Sequence, residues 1–134
     1  MPIMLVRLNA DGSYDATFGN QGQVLLPEAV AGSFDVVGTF LDQNQGLTLV
    51  GNRYDRMSIL HIQRDGALAS HVLNGPLTTL DAQCTPFAVH PLPNGSMLLG
   101  GSASEGSNWQ FSDFCVTKLI YRDGFGTYIP LITR

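Results

Sequence analysis

Residues 55–66 read DRMSILHIQRDG, and this stretch decides the fold because the chain writes it three times. MPIMLVRLNADG (1–12) and DFCVTKLIYRDG (113–124) repeat its arrangement, an extended apolar-rich run closed by an Asp-Gly turn. The turns are Asp11-Gly12, Asp65-Gly66 and Asp123-Gly124. A second phrase stands between them twice, FDVVGTFLDQNQGLTLVG (34–51) and CTPFAVHPLPNGSMLLGG (84–101), with Gly46 matched to Gly95 and Gly51 to Gly100. A repeat of this length made of short extended runs predicts a blade-like β architecture.

The periods are 54 and 58 residues, measured between the turn aspartates. The runs keep their length, and the variation falls in polar or Gly/Ser-rich connections, where insertions cost least. Fifteen glycines and seven prolines punctuate the chain, and no sustained 3.6-residue apolar period predicts a helix. Strands are predicted at 3–8, 23–26, 34–41, 47–51, 57–63, 86–90, 96–100, 114–121 and 127–132. Residues 43–46 (QNQG) and 93–95 (PNG) read as hairpin turns in which Gly supplies the positive φ. Apolar residues occupy both faces of these strands: Met4, Val6 and Leu8 against Ile3 and Leu5, and Leu60 and Ile62 against Met57 and Ile59. Such a strand is covered from both sides, as in a sheet stacked between sheets. Leu8, Ile62 and Ile120, aligned before the three turns, are expected at equivalent buried positions. The expected fold is therefore a single all-β domain over 1–134, made of β-propeller-like blades. Repeat 1 covers about 1–54, repeat 2 about 55–112 and a partial third about 113–134. A self-contained β-sandwich or barrel is the alternative.

Taken together, LNADGSYDATFGNQGQV, HPLPNGSMLLGG and SDFCVTKLIYRDG resemble the delta-60 repeat of bacterial proteins. That repeat runs D-F-A-L-A-R-Y-N-x-D-G-S-L-D-x-x-F-G-x-x-G and later A-x-x-x-x-D-G-K-I-x-x-x-G. Asp11, Gly12, Ser13, Asp15, Phe18, Gly19 and Gly22 carry the first part; Asn94, Gly95, Gly100, Asp113 and Phe114 carry the second. The second copy, RDGALASHVLNG, lacks the Phe-Gly pair, and Gln45 and Pro93 depart from the turn pattern. The resemblance implies β-propeller-like sheets and no catalytic residues.

Composition narrows the function further. Net charge is −4 and only seven Lys and Arg are present, which argues against nucleic acid and against an anionic membrane surface. No run approaches the roughly 20 apolar residues of a membrane span, and MPIMLVRLNADG lacks the parts of a signal peptide. A soluble chain is expected, its compartment unassigned. Charged residues make up 13% of the chain, about half the usual share, so its surface is uncharged polar or is partly covered. About two repeats cannot close a ring that takes roughly 4–8 blades, so self-association as a homodimer or homotrimer is expected. Cys84 and Cys115 show no metal-ligand spacing and read as small apolar core residues.

No residue pattern demands catalysis or a cofactor, and the chain is expected not to be an enzyme. Asn9, Asp11, Ser13 and Asp15 alternate oxygens as a Ca²⁺ loop begins, but no acidic residue stands at the twelfth position, and an Asp-Gly turn explains them. His61, His71 and His90 have no ligand spacing. Ser96 follows a turn glycine without a GxSxG elbow, and GNQGQ (19–23) lacks the Lys-Ser/Thr of a phosphate loop. The distinctive stretch is SEGSNWQFSDF, the longest insertion, holding the only tryptophan. Asn108, Trp109, Gln110 and Phe111 are the candidate ligand or interface residues. Their flat rings beside amides suit a protein interface, a glycan or simple packing. A non-catalytic structural or interaction module is the leading reading, with a glycan-binding, lectin-like propeller as the alternative.

Overall fold

The structure, a computed structural model, describes residues 2–41, 44–54, 56–68, 77–79, 84–104, 112–122 and 127–133. Three antiparallel sheets make up the fold. Strands β1 (Met4–Val6) and β2 (Gln23–Leu25) form the first. The second is the meander β3 (Phe34–Leu41), β4 (Leu47–Arg53), β5 (Arg56–Ile62) and β6 (Leu77–Thr79). The third repeats it as β7 (Cys84–Pro91), β8 (Met97–Ser104), β9 (Ser112–Arg122) and β10 (Thr127–Thr133). Among the described residues no sheet closes on itself, so the architecture is one of propeller-like blades and not a barrel. The Asp-Gly phrases supply β1, in the two-stranded sheet, and β5 and β9, each the third strand in chain order of a four-stranded blade. The sheets are therefore offset by half a repeat from the sequence phrases.

Two of the elements have no period to announce them. One is β6, which is three residues long. The other is α1 (Glu28–Ala31), a single turn of helix entered from Pro27, whose last carbonyls take Arg53: its Nη2 donates to Ala29 and its Nε to Gly32. A single turn needs no amphipathic repeat. The PNG segment (Pro93–Gly95) is a 3-10 turn joining β7 to β8, with Gly95 at φ 74°. At 43–46 the positive φ falls on Gln45 (62°) and not on Gly46.

That exchange exposes a one-residue correction to the alignment of the repeats. Both hairpins span five residues, from Leu41 to its partner Leu47 and from Pro91 to its partner Met97, which sets Gln45 against Gly95. Each first strand then bulges, between Val36 and Gly38 and between Pro86 and Ala88. A glycine faces each bulge. A Cβ on Gly51 would meet the Asp35 carbonyl, and one on Gly101 the Thr85 carbonyl. Gly51 therefore corresponds to Gly101, not Gly100. Ser58, opposite Gly51, corresponds to Cys115, opposite Gly101, and Ile62 to Leu119. Because side chains alternate, a one-residue slip exchanges the two faces of a strand.

With the register corrected, the stacking follows one rule. Each sheet has an upstream face toward the preceding sheet and a downstream face toward the next. Ile3, Leu5 and Val24, downstream on the first sheet, pack with Phe18 and Leu26 on Leu49, Leu60 and Ile62, upstream on the second. Val50, Met57 and Ile59, downstream on the second, pack on Met97, Leu99, Cys115 and Leu119, upstream on the third. Strand β5 is thus covered on both faces, as its sequence predicts. Strand β1 is not: Met4, Val6 and Leu8 lie exposed on its upstream face, Leu8 at 55%. Leu8 matches Ile62 in the chain but has no described sheet stacked on it, so it is not buried. The side chain of Ile120 lies outside the description. Cys115 is buried as expected, but its sulfur is in a disulfide and not a free thiol.

Candidate functional site

Among the described residues, the densest polar cluster is built on the first sheet around Arg7, the residue that follows β1. A Leu8–Tyr14 bridge closes a hairpin over the Asp11-Gly12 turn, where Gly12 takes φ 85°. The Gly12 N–H donates to the Asn9 carbonyl at 3.0 Å, and the Asn9 N–H to the Ser13 carbonyl at 2.8 Å. Asp11 Oδ1 accepts both the N–H and the hydroxyl of Ser13, at 2.9 and 2.6 Å. Asp15 Oδ1 accepts the same pair from Thr17, also at 2.9 and 2.6 Å. These are Asx turns, in which a short carboxylate replaces a backbone acceptor.

Arg7 ties this loop to the next sheet. Its Nε donates to Asp15 Oδ2 at 2.8 Å, one terminal nitrogen to Thr17 Oγ1 at 2.9 Å, and the other to the Arg64 carbonyl. The guanidinium lies 4.7 Å from the centroid of the Phe18 ring, a cation–π contact. Beside it the Gly19 N–H donates to the Asp65 carbonyl at 2.7 Å. Gly66 adopts φ +91°, and a Cβ there would stand 2.7 Å from Val24 Cγ2 and 2.8 Å from Gly19 N. The Asp65-Gly66 turn of the second sheet is therefore held in a cradle formed by 7–24.

The Ser13 hydroxyl, then its N–H, hold the Asp11 carboxyl below the usual carboxylate range. For Asp15 the Thr17 hydroxyl leads, then the Thr17 N–H, then Arg7. Asp15 commits both carboxylate oxygens, one to Thr17 and one to Arg7, and Asp11 commits Oδ1 to Ser13. These bonds fasten the hairpin, and through Arg7 the arrangement clamps chain to chain. The GNQGQ stretch serves the same end. Gly19, Gln21 and Gly22 take positive φ, and a Cβ on Gly22 would press on Tyr14 and Asp15.

The residues singled out in the sequence, Asn108, Trp109, Gln110 and Phe111, lie outside the described residues, as does His71. His61 Nδ1 meets Thr48 Oγ1 at 3.1 Å across β4 and β5, and His90 is exposed on β7. Between the second and third sheets, Asn52 Nδ2 donates to the Pro86 carbonyl at 3.3 Å. No group of three His, Cys, Asp or Glu placed to hold a metal occurs among the described residues. Nor is any of their helices long and apolar enough to cross a membrane. Arg7 itself was not singled out by its sequence. The copies replace it with His61 and, in the corrected register, Lys118, and its acceptor Arg64 is a backbone carbonyl 57 residues away. Only the eight-residue spacing to Asp15 hints at its role.

Part of this clamp is similar to a known family. Residues 4–18 are similar to a family described as a domain of unknown function (DUF5122) beta-propeller. That segment runs from the first residue of β1 through Arg7, both Asx turns and Phe18. Searches of the curated proteins and of the solved structures found no match.

Proposed function

We propose that the chain is a non-catalytic β-propeller-like module of the delta-60 repeat type, whose work is to stack sheets and present their faces to other proteins. The observation that carries this reading is the fate of the polar residues best placed for chemistry. Arg7, Asp11, Asp15, Ser13 and Thr17 are spent on one another and on the Arg64 carbonyl, in the service of one sheet docking on the next. The similarity of residues 4–18 to a propeller family supports the same architecture.

A glycan array and a metal analysis of the purified protein test it together. The module reading expects no retained glycan and no stoichiometric metal. A saccharide that binds and shifts the emission of Trp109 would replace it with the lectin-like alternative. Metal at one equivalent per chain would reopen catalysis.

A further inference from the structure

We propose that the partner these faces fit best is a second copy of the chain, docked head to tail, a proposal that rests on the module reading above. Within one chain a downstream face meets an upstream face twice, burying Leu49, Leu60 and Ile62 at one contact and Val50, Met57 and Ile59 at the other. At both ends of the stack, described residues of the same two faces lie exposed. At the upstream end Met4, Val6, Leu8, Tyr14 and Leu25 are exposed. Register places them on one side of the sheet, since Met4 faces Leu25 and Leu8 faces Tyr14. Met4, Val6 and Leu8 correspond in turn to Ser58, Leu60 and Ile62, all fully covered in the second sheet.

At the downstream end, Phe114 and Val116 correspond to Met57 and Ile59, which are buried. Phe114 is 73% exposed, and Val116 on the same face is 37% exposed. An exposed aromatic side chain beside other apolar residues on a sheet face is a ready site for protein contact. One chain carries both halves of the contact, so a second copy supplies the missing half at either end. Such a heterologous contact closes a ring or extends a filament.

Charge points the same way. Lys118, exposed, occupies the position that Arg7 holds in the first sheet and His61 in the second. Arg7 reaches the carbonyl of Arg64, next to Asp65. The corresponding turn on the first sheet is Ala10-Asp11. Stacking by the same rule brings Lys118 of one copy to the Ala10 carbonyl and the exposed Asp11 carboxylate of the next.

Light scattering on Leu8→Asp and Phe114→Asp variants tests the polarity of the contact. Wild type at micromolar concentration should weigh at least twice the 14.4 kDa chain. Each variant alone should be a monomer, because each loses one face, and an equimolar mixture should form a dimer that grows no further. A wild type of 14.4 kDa overturns the proposal, as does a mixture that stays monomeric. A single variant that still dimerises would show an isologous contact and overturn it too. If either variant fails to fold by circular dichroism, Leu25→Lys and Val116→Lys remove the same faces. Lys118→Gln and Asp11→Asn should each weaken association by about three- to tenfold, and together no more than either alone, the signature of a coupled pair. Fully additive losses would break that pairing. A monomeric wild type would leave the module reading standing, since glycan and metal binding decide that separately.

Discussion

Strands β1 and β5 are written in the same phrase, yet they live in different environments. On β5, Leu60 and Ile62 face the first sheet and are lost to solvent, while Met57 and Ile59 face the third. On β1, Ile3 and Leu5 find a neighbour, but Val6 and Leu8, which correspond to Leu60 and Ile62, do not. The contrast teaches that in a stacked repeat a residue's burial is a property of its neighbour as much as of its own strand. Alternation sets which residues share a face; only stacking decides whether that face is dry.

The sharpest way to break the comparison is to truncate both members of the pair. Ile62→Ala should cost roughly 2–5 kcal/mol, because it opens a cavity between two packed sheets. Leu8→Ala should stay within about 0.5 kcal/mol in a Phe114→Asp background that suppresses association. Urea midpoints of the two variants measure this. Equal losses would mean that Leu8 is covered within the monomer.

A third copy of the position sharpens it. Met4 is exposed, Ser58 is buried, and Cys115, which corresponds to them, is buried in a disulfide. The chain holds one other cysteine, Cys84. Peptide mapping should find Cys84 joined to Cys115, and thiol titration of the unreduced, unfolded chain should find no free thiol. Reduction should lower stability by about 2–4 kcal/mol, the usual range for such a crosslink. Two titratable thiols would contradict the bond.

The Asp-Gly turns offer a smaller contrast. Gly12 and Gly66 take nearly the same φ, +85° and +91°, but only Gly66 is pressed by the preceding sheet. Gly12→Ala should cost about 1 kcal/mol, from the left-handed backbone alone. Gly66→Ala should cost about 1–3 kcal/mol, since Gly19 backbone atoms would also have to move. Thermal unfolding of the two variants separates strain from collision, and equal shifts would show that the cradle yields.

The smallest expected effect concerns acid. The Ser13 and Thr17 donors hold the carboxyls of Asp11 and Asp15 below the usual carboxylate range. A carboxyl depressed in the folded state stabilises it above the unfolded value, and that contribution is lost as pH falls through the folded one. Asp15→Asn should therefore lie below wild type at neutral pH, with the gap closing as the pH falls below about 4. A wild type and Asp15→Asn that run parallel across the whole range would show that the clamp contributes no proton linkage.

Much of this was legible in the chain. The run at 34–41 has the bounds of β3, because a continuous apolar stretch between turn residues leaves little freedom. The Asp-Gly hairpins are equally local, since an Asx turn needs only residues two apart. The correspondence of the second phrases differs by one residue between sequence and structure. Glycine identity aligns Gly51 with Gly100, whereas the bulge and the five-residue turn align it with Gly101. Bulges are set by pairing with another strand, which sequence similarity does not record.

What the sequence by itself determined is therefore what depends on near neighbours: an all-β chain, short strands, turns at the repeated Asp-Gly pairs and an apolar content on both strand faces. What only the tertiary structure decided is what depends on distant ones. It decided that sheets are cut across the sequence repeats, that Arg7 finds the Arg64 carbonyl, that Cys115 is crosslinked, and that Leu8 stays wet where Ile62 is dry. The physical reason is that turn geometry and alternation act over a few residues of one strand. Burial and docking are sums over whatever a different part of the chain brings to the other side.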